Sequence, residues 1–210
     1  EDKKLYGDND LVDEMHLARH CIGLSGIRFA DDDIEKLAER IRKMINKTIS
    51  DQDMYDAAEH AFSSGFNKIK LYTMIGFPTE NLDDMQAFCD LIFNLVKIGR
   101  KYNRGIQIAV SIGILIPKSF TALQWAPYMD KETALKHIRF VREKFFKHPN
   151  VKINWASWET SFLEAIYSRG DRSLAPVIYE AYKQGIIFES DSYRFDFAKW
   201  EAVWQKMGYD

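Results

Sequence analysis

Cysteine is scarce in this chain, with Cys21 and Cys89 as its two thiols. Two thiols so far apart build neither a disulfide framework nor a four-thiolate metal site, and they fit a reducing, cytoplasmic setting; a single disulfide between them stays open. Excess charge of one sign is also missing. Against 29 Lys and Arg stand 31 Asp and Glu, a formal net charge of −2. No global field therefore draws nucleic acid or an anionic membrane, although a local patch stays open. No apolar run reaches the roughly 20 residues that span a bilayer, and the opening Glu1-Asp2-Lys3-Lys4 is unlike a signal peptide. The expectation is a soluble protein without membrane contact. The first residue is not Met, and the chain is expected to be a processed or excised piece. Of the five histidines, His16, His20, His60, His137 and His148, only His16 and His20 stand in His-x-x-x-His spacing, and with no further ligand pattern around them the expectation is against a zinc site. What is present is 210 residues with 46% hydrophobic and 29% charged, enough for one sizeable core or part of a larger barrel.

The stretch from Lys68 to Asn81 organises the rest. Its apolar run has no helical spacing and stops at Gly76-Phe77-Pro78, and the next periodic segment opens with Asn81 as N-cap and Asp83-Asp84 in the first turn. This predicts strand, tight loop, helix. Upstream, residues 1–22 read as a polar leading segment, followed by a strand at 23–30, a cap at Asp31-Asp32-Asp33 and a helix with an Ile34, Leu37, Ile41, Met44, Ile45 stripe. Ser50 with Asp53 predicts a capping box before a helix running to Ser63. Downstream come a helix over 82–102 with Cys89 in its apolar stripe, and a strand over 106–116 whose Ile and Val suit cover on both faces. An aromatic-rich loop over 119–128, a helix over 131–146 capped by Asp130, and a strand over 151–155 complete the alternation. Strand and helix alternate four times, which points to parallel βαβ units: an open doubly wound sheet or a barrel segment. Residues 157–210 change character, with helices at 159–169 and 174–183 and with Trp158, Trp200 and Trp204.

Ligands of parallel α/β proteins sit beyond the carboxyl ends of the strands, so the loop Gly76 to Glu80 is the first candidate site. Gly76 permits close backbone approach, Pro78 fixes the turn and Glu80 can accept hydrogen bonds; an ordinary βα turn uses the same residues. Asp31 to Asp33 could meet an amine or a metal, against the plainer reading of a charged cap. Ser111 and Lys118 flank the end of the third strand, where a lysine could meet a carboxylate or phosphate. Arg169-Gly170-Asp171-Arg172 offers two guanidinium forks, or an Arg/Asp-stitched turn.

Met74-Ile75-Gly76-Phe77-Pro78-Thr79-Glu80-Asn81 resembles the strand-end motif of radical S-adenosylmethionine enzymes, particularly the cobalamin-associated group. Gly26 to Ala30, Arg42 to Lys47, Val110-Ser111, Pro117-Lys118, Gln124-Trp125-Ala126, Leu163 to Arg172 and Phe197 to Asp210 look like that group in the same order, so the resemblance covers 23–210. It implies a partial TIM-like (β/α) barrel: a half-barrel over 23–156 and a helical C-terminal extension over 157–210. S-adenosylmethionine would lie across the strand ends, where a 4Fe-4S cluster on a CxxxCxxC loop cleaves it to a 5′-deoxyadenosyl radical. Carried over to this sequence, Gly76, Phe77, Pro78, Thr79, Glu80 and Ser111 would line the adenosyl site.

Two departures accompany the resemblance. No CxxxCxxC occurs here, so the cluster ligands, and the N-terminal half-barrel that is the expected partner, would lie outside this chain. Where the family tends to have Phe-Ala-Pro-Glu-Ala-Gly, this chain has Phe29-Ala30-Asp31-Asp32-Asp33-Ile34, with Asp32 as the stand-in carboxylate. The expectation is the C-terminal portion of such an enzyme, inactive alone. The rivals are a non-catalytic scaffold or binding module derived from that fold, and an aldolase-like barrel using Lys70 or Lys118 as an amine nucleophile.

Overall fold

A computed structural model describes residues 49–187 and 194–209. The expected leading segment, the strand at 23–30, Asp31 to Asp33 and the helix stripe from Ile34 lie outside the described residues. The chain divides into two compact units: one runs to Leu115 and resumes over Met129–Trp155, and the other holds Ile116–Tyr128 and everything from Ala156 onward.

In the first unit, helix α1 (Asp51–Ser63) starts at a reciprocal capping box. Ser50 Oγ accepts from the Asp53 N–H, and the Asp53 carboxylate accepts from the Ser50 N–H at 2.6 Å. Strand β1 (Lys68–Ile75) leads into α2 (Leu82–Tyr102), whose Asn81 and Asp84 repeat the same reciprocal cap. Strand β2 (Gln107–Ile114), helix α3 (Lys131–Phe145) under the Asp130 cap, and strand β3 (Val151–Trp155) follow. The three strands form one parallel sheet in the order β1-β2-β3, with Tyr72 opposite Ser111 and Ser111 opposite Asn154.

Because alternate residues of a strand face opposite ways, that register sorts the sheet into two surfaces. Leu71, Thr73 and Ile75 of β1 and Ile108, Val110, Ile112 and Ile114 of β2 are buried on one of them. The helices cover this side as a layer in which each touches the next. The Phe62 ring of α1 lies where a side chain on Gly99 of α2 would begin, 2.8 Å away, and Phe93 of α2 meets Phe145 of α3 at 4.6 Å between ring centroids. Met85, Phe88, Cys89, Ile92 and Leu95 of α2 are all buried. At the amino end of the sheet the Asn150 amide donates to the carbonyls of Arg104 and Ile106, tying the turn before β3 to the one before β2.

The second surface carries Lys70, Tyr72 and Met74 of β1, Ser111 and Gly113 of β2, and Lys152 and Asn154 of β3, exposed or half-buried. The expected cover of the β2 segment on both faces is met in part: on this second surface Ala109 is buried, and Ser111 and Gly113 are half-buried. The strand also ends at Ile114 rather than at residue 116; the Leu115 N–H still bonds to the Ile75 carbonyl at 2.7 Å, and Pro117 has no N–H to continue the ladder.

The second unit is helical: α4 (Trp158–Arg169), α5 (Leu174–Lys183) and α6 (Phe197–Met207). Its core is Leu163, Val177, Ala181, Trp200 and Val203, and Trp158 stacks on Phe162 at 4.6 Å. A polar clasp joins α5 to α6: the Glu180 carboxylate accepts from Lys183 and Lys206, each at 2.5 Å, and from Gln184 at 3.1 Å. Lys183, then Lys206 and Gln184, hold that carboxyl down to about 2, from an ordinary 4.5. A folded value below the unfolded one means that the clasp contributes fully above about pH 4.5 and loses its contribution as pH falls toward 2. Glu180→Gln should therefore flatten the acid limb of an unfolding titration followed by tryptophan fluorescence. Coincident acid limbs for the variant and the parent protein would refute the assignment.

Candidate functional site

The carboxyl end of β1 is shaped by one buried carboxylate. Glu80 turns back under its own loop, where Oε1 and Oε2 accept from the Gly76 N–H at 3.1 and 3.2 Å, and Oε2 accepts from the Phe77 N–H at 3.3 Å. Oε1 also lies 3.0 Å from Nδ1 of His137 on α3, and the two side chains are 2% and 4% exposed. An acceptor carboxylate at that distance assigns the ring proton to Nδ1. Donors on two chain segments thus meet the desolvation of the carboxylate, which unpaired would be severely destabilising.

The loop under this clamp is sharply bent. Gly76 has φ +100°, with the Cβ of Met129 3.4 Å from where a side chain would start, and Thr79 has φ +68°, a left-handed conformation disfavoured for a β-branched residue. Phe77 is buried, Pro78 is half-buried and Thr79 is exposed. Of the expected ligand-facing groups, the Gly76 and Phe77 amides and the Glu80 carboxylate are engaged with one another. The loop's outward surface is Pro78 and Thr79. Asn81 and Asp84 then cap α2, with the Asp83 N–H donating to Asn81 Oδ1 at 2.7 Å.

Ser111 belongs to the open surface of the sheet, in register between Tyr72 and Asn154, with Gly113 two residues further along β2. A Cβ added at Gly113 would make ordinary contacts, 3.7 Å from the Thr73 carbonyl oxygen and 3.8 Å from Met74 Cγ, so a methyl group fits there. Lys70 lies on the same surface with Nζ 4.5 Å from the centre of the Tyr72 ring. Hydroxyl, amide, phenol and ammonium groups therefore share this surface with Met74, which stands in register with Gly113. Asp32 lies outside the described residues.

The other candidates are accounted for locally. Lys118, in the second unit, pairs with Glu164 at 3.4 Å, both well exposed. Arg169 donates to the Ala126 carbonyl at 3.4 Å, and Asp171 accepts from the Ser173 N–H, which lowers its carboxyl below the ordinary range. Arg169 and Asp171 thus serve separate backbone partners. Among the described residues no group of three or more His, Cys, Asp or Glu is placed to hold a metal ion, and no helix is long and apolar enough to cross a membrane.

His137 is the functional residue that sequence reasoning missed. It sits in the stripe Ala134, His137, Ile138, Val141, all buried, and a histidine at an apolar position of an amphipathic helix is a signal that a buried polar partner exists.

Among the described residues, fold and site define an α/β protein with a three-stranded parallel sheet in consecutive order and a carboxylate-clamped loop at the end of its first strand. An uncharacterized protein of Methanocaldococcus jannaschii is 30% identical to this chain over 138 residues, which are 66% of this chain and 29% of that protein. The chain thus matches under a third of that relative's length. No family model and no solved structure matches it.

The clamp yields a direct test. Glu80→Ala, by leaving His137 and two loop amides without their acceptor, should cost about 3 kcal/mol in a urea titration of the parent chain, whereas Thr79→Ala, outside the clamp, should cost under about 1 kcal/mol. Equal losses from the two changes would show that the carboxylate does not hold the loop.

Proposed function

We propose that this chain is the C-terminal part of a radical S-adenosylmethionine barrel enzyme, and that its open sheet surface and the Gly76 to Glu80 loop form the nucleoside side of the cofactor site. One observation carries the reading: three consecutive parallel strands keep their helices on a single surface and leave small and polar side chains on the other. Doubly wound sheets reverse strand order and place helices on both surfaces, whereas a (β/α) barrel runs its strands in sequence and turns the helix-free surface inward. The Met74 to Asn81 motif lies where such a barrel gathers its ligands.

The described residues fit the two implied groups differently. Ser111, Tyr72 and Asn154 could hydrogen-bond a nucleoside or amino-acid moiety over Gly113, and the loop could close one side of it through Pro78 and Thr79. They do not fit the 4Fe-4S cluster: Cys89 is buried in the stripe of α2, and no metal-holding group accompanies it among the described residues. The cluster therefore belongs, on this reading, to the missing half of the barrel. With the cluster, bound S-adenosylmethionine would supply reductive cleavage chemistry; the role of this chain would be to orient the nucleoside and exclude water.

The test uses the parent protein with its upstream sequence, reconstituted anaerobically with iron and sulfide. The reading expects iron–sulfur absorption, 5′-deoxyadenosine on reduction with S-adenosylmethionine, and loss of S-adenosylmethionine binding in Gly113→Phe, whose ring would project from the surface proposed for the nucleoside, with unchanged far-UV circular dichroism as the check on its folding. Reconstitution without a cluster would overturn it in favour of a scaffold derived from the same fold. A cluster together with unimpaired binding by Gly113→Phe would remove this surface from the site.

A further inference from the structure

We propose that the outer edge of β3 and the cationic flank of α3 form a groove that takes up an acidic peptide segment in extended form, as an added strand. It holds without the cofactor reading, and beside that reading it requires the partial barrel, open at β3, because a closed one would pair this edge.

Among the described residues β3 is paired on one side, to β2. The bond from the Ile108 N–H to the Asn150 carbonyl, at 2.7 Å, sets the alternation of this parallel ladder: even-numbered residues of β3 face β2, and odd-numbered ones face away. The Val151 N–H is taken by the His148 carbonyl at 3.1 Å. The outward groups left for a partner are the Val151 carbonyl and both backbone groups of Ile153. A row of this kind is a template for strand addition.

The groove beside that edge encloses about 510 Å³. Its apolar floor is Val151, Ile153 and the buried Phe145, and Phe146 stands at its rim, 81% exposed. Arg139, Arg142 and Lys152 line it against a single acid, Glu143. None of these three cations is in an ion pair among the described residues. The Arg142 guanidinium instead lies 4.2 Å from the centre of the Trp155 ring, which is 42% exposed, and this stacking holds the charge over the groove.

An edge strand guards itself with a charge of its own and with short length, and Lys152 on a short β3 does some of that. A guard has no need of an apolar trench or of two arginines on the neighbouring helix. An acidic strand uses every feature: its backbone meets Ile153, and along its α3-facing side, where every second side chain points, apolar groups fill the trench and carboxylates meet the guanidinium forks. A nucleic acid strand would use the cations and Trp155 and leave the backbone groups unmet.

Fluorescence anisotropy with a short labelled peptide of Val-Ser-Glu-Ser repeats, which sets Val and Glu in turn along one side of a strand, against one of Val-Ser-Lys-Ser repeats, decides the matter. The acidic peptide should bind the full chain and weaken as salt screens the cations, and Arg142→Glu should weaken it about tenfold or more. Methylating alternate amide nitrogens of the peptide should abolish binding without touching the protein. Equal binding of the two peptides, undiminished binding of the methylated one, or tighter binding of a single-stranded oligonucleotide at this groove would each overturn the proposal.

Discussion

A single buried carboxylate sets the geometry on which the candidate site depends. Glu80 joins three backbone and side-chain donors from the β1–α2 loop and from α3, so the position of the loop relative to the helix layer is fixed by charge as well as by packing. Left-handed conformations at Gly76 and Thr79 persist in such a setting because the surrounding bonds over-determine them. Remove the carboxylate and both the bend and the buried imidazole lose their reason. The local reciprocal cap at Asn81 and Asp84 continues the same logic one turn later, so that the segment from Gly76 to Asp84 is held at successive points by side chains accepting from backbone amides.

The sheet imposes the second constraint. Parallel strands need crossovers, and here the crossover helices lie side by side, with aromatic and aliphatic contacts between successive pairs. Leu71, Val110 and Ile112 are buried on the helix-covered surface, whereas the opposite surface buries Ala109 and carries Ser111, Tyr72 and Asn154 half-buried or exposed. Stability and recognition are thereby separated by the period of two of a strand: each residue that supports the core is followed by one that does not have to. The helical second unit follows different rules, with a tryptophan-rich core and a Glu180 clasp.

Much of this was legible because it is local. Ser50, Asn81 and Asp130 announce helix starts through bonds to amides two or three residues away, and such bonds are formed by neighbours in sequence. The strands at Lys68–Ile75 and Val151–Trp155 stand where the apolar runs do. The part that could not be read is long-range. Glu80 looked like a ligand acceptor because its spacing from Gly76 says nothing of which way the carboxylate turns, and its imidazole partner is 57 residues away. The two surfaces of β2 differ in degree of cover, and Ser111 and Gly113, set alternately among its isoleucines, carry that signal.

The two surfaces left uncovered in the first unit differ in kind, and that difference argues for different ligands. The open face has its polar groups spread over three strands around Gly113, with Lys70 drawn onto Tyr72; no backbone donor or acceptor points into it, since ladder bonds lie in the plane of the sheet. A ligand there must be recognised by side chains, which suits a compact molecule. The edge of β3 presents backbone groups in the sheet plane together with Arg139 and Arg142 from the neighbouring helix. Recognition there is by main-chain pairing with charge for selectivity, which suits an extended chain. Because the faces and the edge of a sheet are perpendicular surfaces, occupation of one would leave the hydrogen bonds of the other intact, so the two proposals make no competing demand on the same groups.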